Sequence, residues 1–168
     1  MKILVTGANG YIGKHVIKYL LDNYSNIELF ALDITFFDMD LRVNLIQMDL
    51  LKETNTPLAE YFKNFDVCIH LAWRNGFDHK NDSHINELPY HYRFIKQLID
   101  IGCRNISIIG TMHEIGYFEG KATEDVNCNP ISPYGIAKNT LRQLFFFAVR
   151  SRNSKLKLPF KWQCRSAG

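Results

Sequence analysis

Residues 1–13 read Met-Lys-Ile-Leu-Val-Thr-Gly-Ala-Asn-Gly-Tyr-Ile-Gly, and their order decides the fold. Ile3, Leu4 and Val5 form an apolar, strand-forming run that breaks at Thr6-Gly7, and glycines follow at 7, 10 and 13. From Lys14 the pattern turns helical, with Val16, Ile17, Leu20 and Leu21 on one face. A buried strand that ends in a glycine turn and opens a helix is suited to holding a dinucleotide pyrophosphate. Glycine lets the backbone approach closely, and the helix N-terminus offers N–H groups and a positive dipole end. Gly7, Asn9, Gly10, Tyr11, Ile12 and Gly13 are the candidate contacts along this turn. A P-loop is excluded, because five residues separate Gly7 from Gly13 and His15 stands where Ser or Thr would bind magnesium. With the turn starting at Gly7, no signal peptide is expected.

Outward from that turn, strand and helix patterns alternate. Strands are expected at Ile3–Val5, Ile27–Leu32, Val43–Met48, Val67–Ala72 and Ile106–Ile109, the fourth of them fully buried. Helices are expected at 14–23, 56–64, 90–101 and from Pro133 to about Arg150. Such alternation predicts an α/β fold, a doubly wound parallel sheet of Rossmann type. The sequence divides into a dinucleotide-binding domain over residues 1–154 and a basic, atypical tail over 155–168.

Length and composition suit a single globular domain, with 46% hydrophobic and 22% charged residues in 168. No apolar run approaches the ~20 residues of a membrane span. Cys68, Cys103, Cys128 and Cys164 show no metal-like spacing, so neither a metal nor a disulfide framework is expected. Cys68 should pack as a small hydrophobe, and a reducing, cytoplasmic setting is the expectation. The net charge of +3 conceals an uneven distribution: residues 150–168 hold six basic side chains and no acid, while the rest carries 14 basic against 17 acidic. The tail lacks the aromatic interleaving of a nucleic-acid surface, so nucleic acid is not an expected partner.

Asp33 closes the second strand, twenty residues after Gly13, where a carboxylate accepts hydrogen bonds from adenosine ribose hydroxyls. An acid there repels a 2′-phosphate, and no Arg or Lys occurs between Lys18 and Arg42 to receive one; NAD is favoured over NADP. Asp49, followed by Leu50, ends the third strand in the same way and is placed to reach the adenine edge. Tyr134 and Lys138 lie four apart on the helix that Pro133 opens, and therefore share a face. A nearby ammonium stabilises a phenolate, which would bring the tyrosine toward working pH as an acid or base. Thr111 lies just beyond the fifth strand, at the edge where ligands sit in such sheets, placed to hold a substrate oxygen beside Tyr134.

Thr6-Gly-Ala-Asn-Gly-Tyr-Ile-Gly13, Asp33, Asp49-Leu50, His70-Leu71-Ala72, Thr111 and Tyr134-x-x-x-Lys138 together resemble the extended short-chain dehydrogenase/reductases. Within them the resemblance is to the NAD-dependent nucleotide-sugar epimerases and dehydratases, over residues 1 to about 150. The resemblance implies a pyrophosphate held at Gly7, Gly10 and Gly13, a cofactor groove lined by Leu71 and Ala72, and a catalytic trio of Thr111, Tyr134 and Lys138. It also implies a nucleotide-sugar substrate and a homodimer paired through the Tyr134 helix, although a plain core face explains Phe145-Phe146-Phe147 equally well. Met112-His113 replaces the Asp-Glu pair that dehydratases of this family carry after the Thr, which argues against water loss. Gly110-Thr-Met-His-Glu-Ile-Gly-Tyr117 is similar to some 4-keto-sugar reductases, and His91 stands where the family carries a helix Asn. Epimerase and 4-keto-sugar reductase both remain open. Set against the resemblance, the expectation is that the family's C-terminal substrate lobe is missing and that Pro159 interrupts the region where a sixth strand should form. The expectation is a truncated chain, competent at most to bind the dinucleotide; a non-catalytic dinucleotide-binding regulatory module is the alternative.

Overall fold

The computed structural model describes residues 1–52, 61–120, 123, 126–152 and 161–163. Its strands are β1 (Lys2–Thr6), β2 (Glu28–Asp33), β3 (Asn44–Gln47), β4 (Val67–His70), β5 (Asn105–Ile109) and β6 (Lys161–Gln163). Its helices are α1 (Tyr11–Asn23), α2 (Ser83–Asn86), α3 (Leu88–Asp100) and α4 (Pro133–Arg152), with a 3-10 turn at Met112–Glu114. The strands form one sheet in the order β3-β2-β1-β4-β5-β6. Every pairing is parallel, and the register sets Leu4 beside both Phe30 and Cys68. The doubly wound α/β expectation therefore holds. The order reverses between β1 and β4, and the crevice beyond the carboxyl ends of those two strands is where such sheets take ligands.

Two cores follow from the period-two alternation of strand side chains. Ile3, Val5, Leu29 and Ala31 pack with Ile17 of α1 on one face. Leu4, Leu32, Cys68, Ile106 and Ile108 pack on the other face with Phe94, Leu98, Leu141 and Phe145 from α3 and α4. Phe62, Phe94 and Phe145 are fully buried, each contributing about 2 to 3 kcal/mol by that burial. Cys68 packs as the small hydrophobe expected of it, and Cys103 is buried behind α3.

Several boundaries differ from the sequence reading. Helix α1 starts at Tyr11, three residues early, because Gly10 is its N-cap and the exposed Tyr11 and Ile12 carry no apolar periodicity. Helix α3 starts at Leu88, with Pro89 in its first turn. Strand β4 stops at His70, and its Val67 and Ile69 are only partly buried; Leu71 and Ala72 continue beyond the sheet. The expected failure of a sixth strand is overturned. Ser107, Ile108 and Ile109 pair in parallel with Lys161, Trp162 and Gln163, whose polar–apolar–polar order is a short strand pattern lying after Pro159 rather than across it. The helix expected over 56–64 falls mostly outside the described residues, as does most of the basic tail.

Candidate functional site

The glycine turn is fixed by the close approach of three backbone segments. Gly7 has φ +66°, and a Cβ there would lie 2.7 Å from the Ala72 amide nitrogen. A Cβ on Gly13 would strike the Gly7 and Ala8 carbonyls. Gly10 makes no side-chain cap, so no side chain competes for the first-turn amides of α1. Asp33 clasps the turn from the end of β2: its Oδ2 accepts the Asn9 amide at 2.8 Å and its Oδ1 the Ile34 amide at 2.7 Å. Asn9 Oδ1 in turn accepts the Phe37 amide at 3.3 Å.

Beside this clasp lies a cleft of about 340 Å³, lined by Gly7, Asn9, Gly10, Asp33, Asp49, Leu50, Leu71 and Ala72, with Trp73 and Arg74 at one side. Of the expected cofactor contacts, Tyr11, Ile12 and Gly13 sit on the adjoining first turn of α1 rather than in the cleft wall. Asp49 reaches the cleft already engaged, accepting from Arg74 Nη2 at 2.6 Å and the Leu51 amide at 3.0 Å, with Lys52 Nζ at 3.5 Å. Burial works against its charge, but Arg74 and the Leu51 amide outweigh it and hold the carboxyl below its usual range. Arg74 also binds Glu87 at 2.8 Å. The cations bordering the cleft are therefore already paired, consistent with NAD rather than a 2′-phosphorylated coenzyme. A backbone cradle with no room for a Cβ at Gly7 or Gly13, next to a carboxylate and an apolar-walled cleft, fits the adenosine and pyrophosphate part of such a coenzyme.

A second cluster is built from side chains at the ends of β5 and α4. Thr111 hydrogen-bonds the Tyr134 phenol. Its own amide donates to Glu114 Oε1 at 2.8 Å within a capping box that holds the 3-10 turn. Ser132 accepts the Gly135 amide at 3.2 Å, and the Tyr134 amide donates to the His79 carbonyl at 3.2 Å, which fixes the start of α4. Lys138, one turn on, donates to the Ile109 carbonyl at 3.0 Å, with its Nζ 6.0 Å from the Tyr134 ring centroid. The structure thus brings Thr111, Tyr134 and Lys138 together.

Electrostatics departs from expectation at the tyrosine. Burial lifts the Tyr134 phenol above its usual value and the Glu114 charge adds to this, while the Thr111 hydrogen bond works the other way. Lys138 was expected to draw the phenol down. Instead its own burial brings it from 10.5 to about 8, and its hydrogen bond is directed at Ile109.

Sequence reasoning did not reveal the ring cluster around these groups. Tyr134 stacks on His79 with centroids 5.2 Å apart, and His84, His113 and Trp73 lie at 5.0, 5.5 and 6.0 Å. His79 and His113 stand 3.9 Å apart, and burial followed by the His79 charge keeps His113 below its usual value. Deeper in, Thr6 Oγ1 meets His70 Nδ1 at 2.7 Å and His70 Nε2 meets His91 Nδ1 at 3.0 Å. Burial pushes His70 down to about 3 and His91 well below its usual value, so both are neutral. The one available signal was position: Trp73 and Arg74 directly follow the His-Leu-Ala segment. Among the described residues no group of three or more His, Cys, Asp or Glu is placed to hold a metal.

The chain thus combines a doubly wound parallel sheet, a glycine cradle at its switch point and a Thr–Tyr–Lys cluster. The NAD dependent epimerase/dehydratase family matches residues 3–156, and the chain belongs to that family. It is 39% identical over 163 residues to the dTDP-6-deoxy-L-talose 4-dehydrogenase (NAD(+)) of Aggregatibacter actinomycetemcomitans, covering 87% of this chain and 54% of that protein. The UDP-Glc/GlcNAc 4-epimerase of Campylobacter jejuni shares the fold at a TM-score of 0.80 and 20% identity, covering 96% of this chain and 52% of that one. The UDP-glucuronic acid 4-epimerase of Bacillus cereus, solved with UDP-glucuronic acid and NAD, aligns at a TM-score of 0.73 and 25% identity, covering 96% and 55%. The chain spans about half the length of these relatives. Among the described residues no helix is long and apolar enough to cross a membrane.

Proposed function

We propose that residues 1–154 bind NAD and form the coenzyme-binding part of a nucleotide-sugar oxidoreductase, acting at a sugar carbon as a 4-keto-sugar reductase, 4-dehydrogenase or epimerase. The observation that carries this reading is the meeting of Thr111, Tyr134 and Lys138 at the carboxyl edge of the sheet, beside the Gly7–Gly13 cradle. The backbone of Gly7, Gly10 and Gly13, with Asn9 and the amides of Tyr11 and Ile12, takes the pyrophosphate. Asp33 takes the adenosine ribose, while Asp49, Leu50, Leu71 and Ala72 wall the groove. Bound NAD supplies hydride transfer to or from the sugar carbon. Tyr134 exchanges a proton with the oxygen on that carbon, Thr111 hydrogen-bonds the same oxygen, and Lys138 holds ribose hydroxyls with its ammonium.

Met112 and His113 occupy the turn where dehydratases hold an acid pair, and His113 is kept largely neutral by burial and by His79. That arrangement supports oxidoreduction without water loss, the chemistry carried in the name of the talose 4-dehydrogenase relative. A homodimer joined through α4, where Phe147 is 66% exposed, belongs to the same reading.

Titration calorimetry with NAD and with NADP tests the binding. NAD is expected to bind the more tightly, and at a hundredfold excess over its dissociation constant to stabilise the fold by about 2.7 kcal/mol. No heat with either coenzyme from monodisperse protein overturns the reading. Tyr134→Phe then separates an enzyme from a binding module. Turnover lost with NAD affinity intact marks the enzyme, whereas a parent chain that binds NAD without turnover is a coenzyme-binding part or module only.

A further inference from the structure

Lys138 is a fully buried cation held in an unusual way. One of its three N–H donors goes to the Ile109 carbonyl at 3.0 Å, and its Nζ lies 4.0 Å from the centroid of the Trp73 ring. An indole face attracts an ammonium through its quadrupole, and most strongly where water is excluded. Unlike a carboxylate, it does so without accepting a directed hydrogen bond, so two donors remain for the paired hydroxyls of a ribose.

Trp73 is itself anchored from several sides. Its Nε1–H donates to His84 Nδ1 at 3.0 Å, and His84 Nε2–H donates to the Asp78 carbonyl at 2.8 Å. Its plane stacks on His91 at 4.2 Å and 12°, and His91 is tied through His70 to Thr6 at the end of β1. Trp73 is also among the residues lining the cleft with Gly7 and Asp33. It thus borders the cleft while its indole faces Lys138 and Tyr134.

We propose that Trp73 is a positioning residue that holds the Lys138 ammonium, with two donors free, at the ribose end of the coenzyme groove. The ribose part of this statement rests on the NAD reading above; the Trp73–Lys138 pairing does not.

The chain has two tryptophans, so Trp162→Phe leaves Trp73 as the sole indole emitter. Its emission should show a step with a midpoint near pH 8, where Lys138 loses its proton. The other titrating groups facing the ammonium are His70 and His91, held neutral by burial, Tyr134, raised above its usual value, and the charge of Glu114. His70, His91 and Tyr134 keep their charge near pH 8, and because His84 accepts the indole N–H, only the part of the step that Lys138→Met removes is assigned to the ammonium. A flat emission profile, or a step that survives Lys138→Met undiminished, overturns the proposal.

A second measurement compares NAD with ADP, which lacks the second ribose. Trp73→Leu should weaken NAD binding about tenfold more than it weakens ADP binding, while Trp73→Phe, which keeps an aromatic face, stays within about threefold of the parent for NAD. An equal effect of Trp73→Leu on NAD and ADP also overturns it. If the parent binds neither ADP nor NAD, the coenzyme reading fails, and the emission step alone decides the pairing. If Trp73→Leu does not fold, the emission step and Trp73→Phe decide.

Discussion

The two halves of the site are made of different materials. The Gly7–Gly13 cradle is backbone, with short-range steric requirements written into adjacent residues and one carboxylate, Asp33, as its clasp. The Tyr134 half is side chain throughout, gathered from β4, the segment after it, the 3-10 turn and α4. A backbone cradle tolerates almost no added atom, whereas a cluster of rings and a buried ammonium tolerates change at a cost in stability or charge. The first half fixes where a coenzyme lies; the second sets what happens at its far end.

The hardest test of that contrast is Gly13→Ala. The added methyl has only backbone atoms to displace, so NAD affinity should fall roughly a thousandfold, about 4 kcal/mol. Calorimetry would show it, and an alanine variant that bound normally would break the distinction.

The opposite behaviour is expected of Lys138→Met. With its folded pKa lowered from 10.5 to about 8, Lys138 binds its proton less readily in the native state than in the unfolded chain. Below pH 8 the fold therefore carries a burden on the order of 3 kcal/mol. That burden is relieved as pH rises from about 8 to 10.5. The methionine variant should melt at higher temperature at pH 7, with the gain shrinking toward zero by pH 10.5, while its NAD affinity falls. A gain that ignores pH would show that shape, not charge, governs this half.

The smallest effect sharpens the comparison at the clasp. Asp33→Asn keeps an oxygen for the amides of Asn9 or Ile34 but removes the charge. NAD should weaken about tenfold, about 1.4 kcal/mol, and discrimination against NADP should narrow. Competitive titration of the two coenzymes measures both.

The same contrast explains what was legible in the sequence. Five strands and the long helices were readable because their apolar residues repeat at two or at 3.6 positions, and the cradle because glycine spacing is a local steric statement. The ring cluster was not readable. His79 and His84 come from a stretch after Ala72 with no periodicity, and they meet Tyr134 only because α4 docks against that stretch. The direction of the Tyr134 shift was also hidden, since it depends on how deeply the ring is buried and not on its distance from Lys138 along the helix. Strand β6 was missed because three residues carry too short an alternation to stand out beside a proline.

The two thiols embedded in the sheet core have a practical consequence. Cys68 lies at the middle of the molecule, and burial raises its thiol well above the ordinary range; Cys103 is pushed up to about 11 for the same reason. Since the thiolate is the attacking species, Cys68 stays unreactive while β4 is seated between β1 and β5, and Cys103 while the segment leading into β5 stays buried. Alkylation at these positions consequently times the parting of the central strands. With Cys164→Ser in place, partly exposed Cys128 supplies the reference in the same sample, and any small molecule that tightens the fold registers as a slower clock.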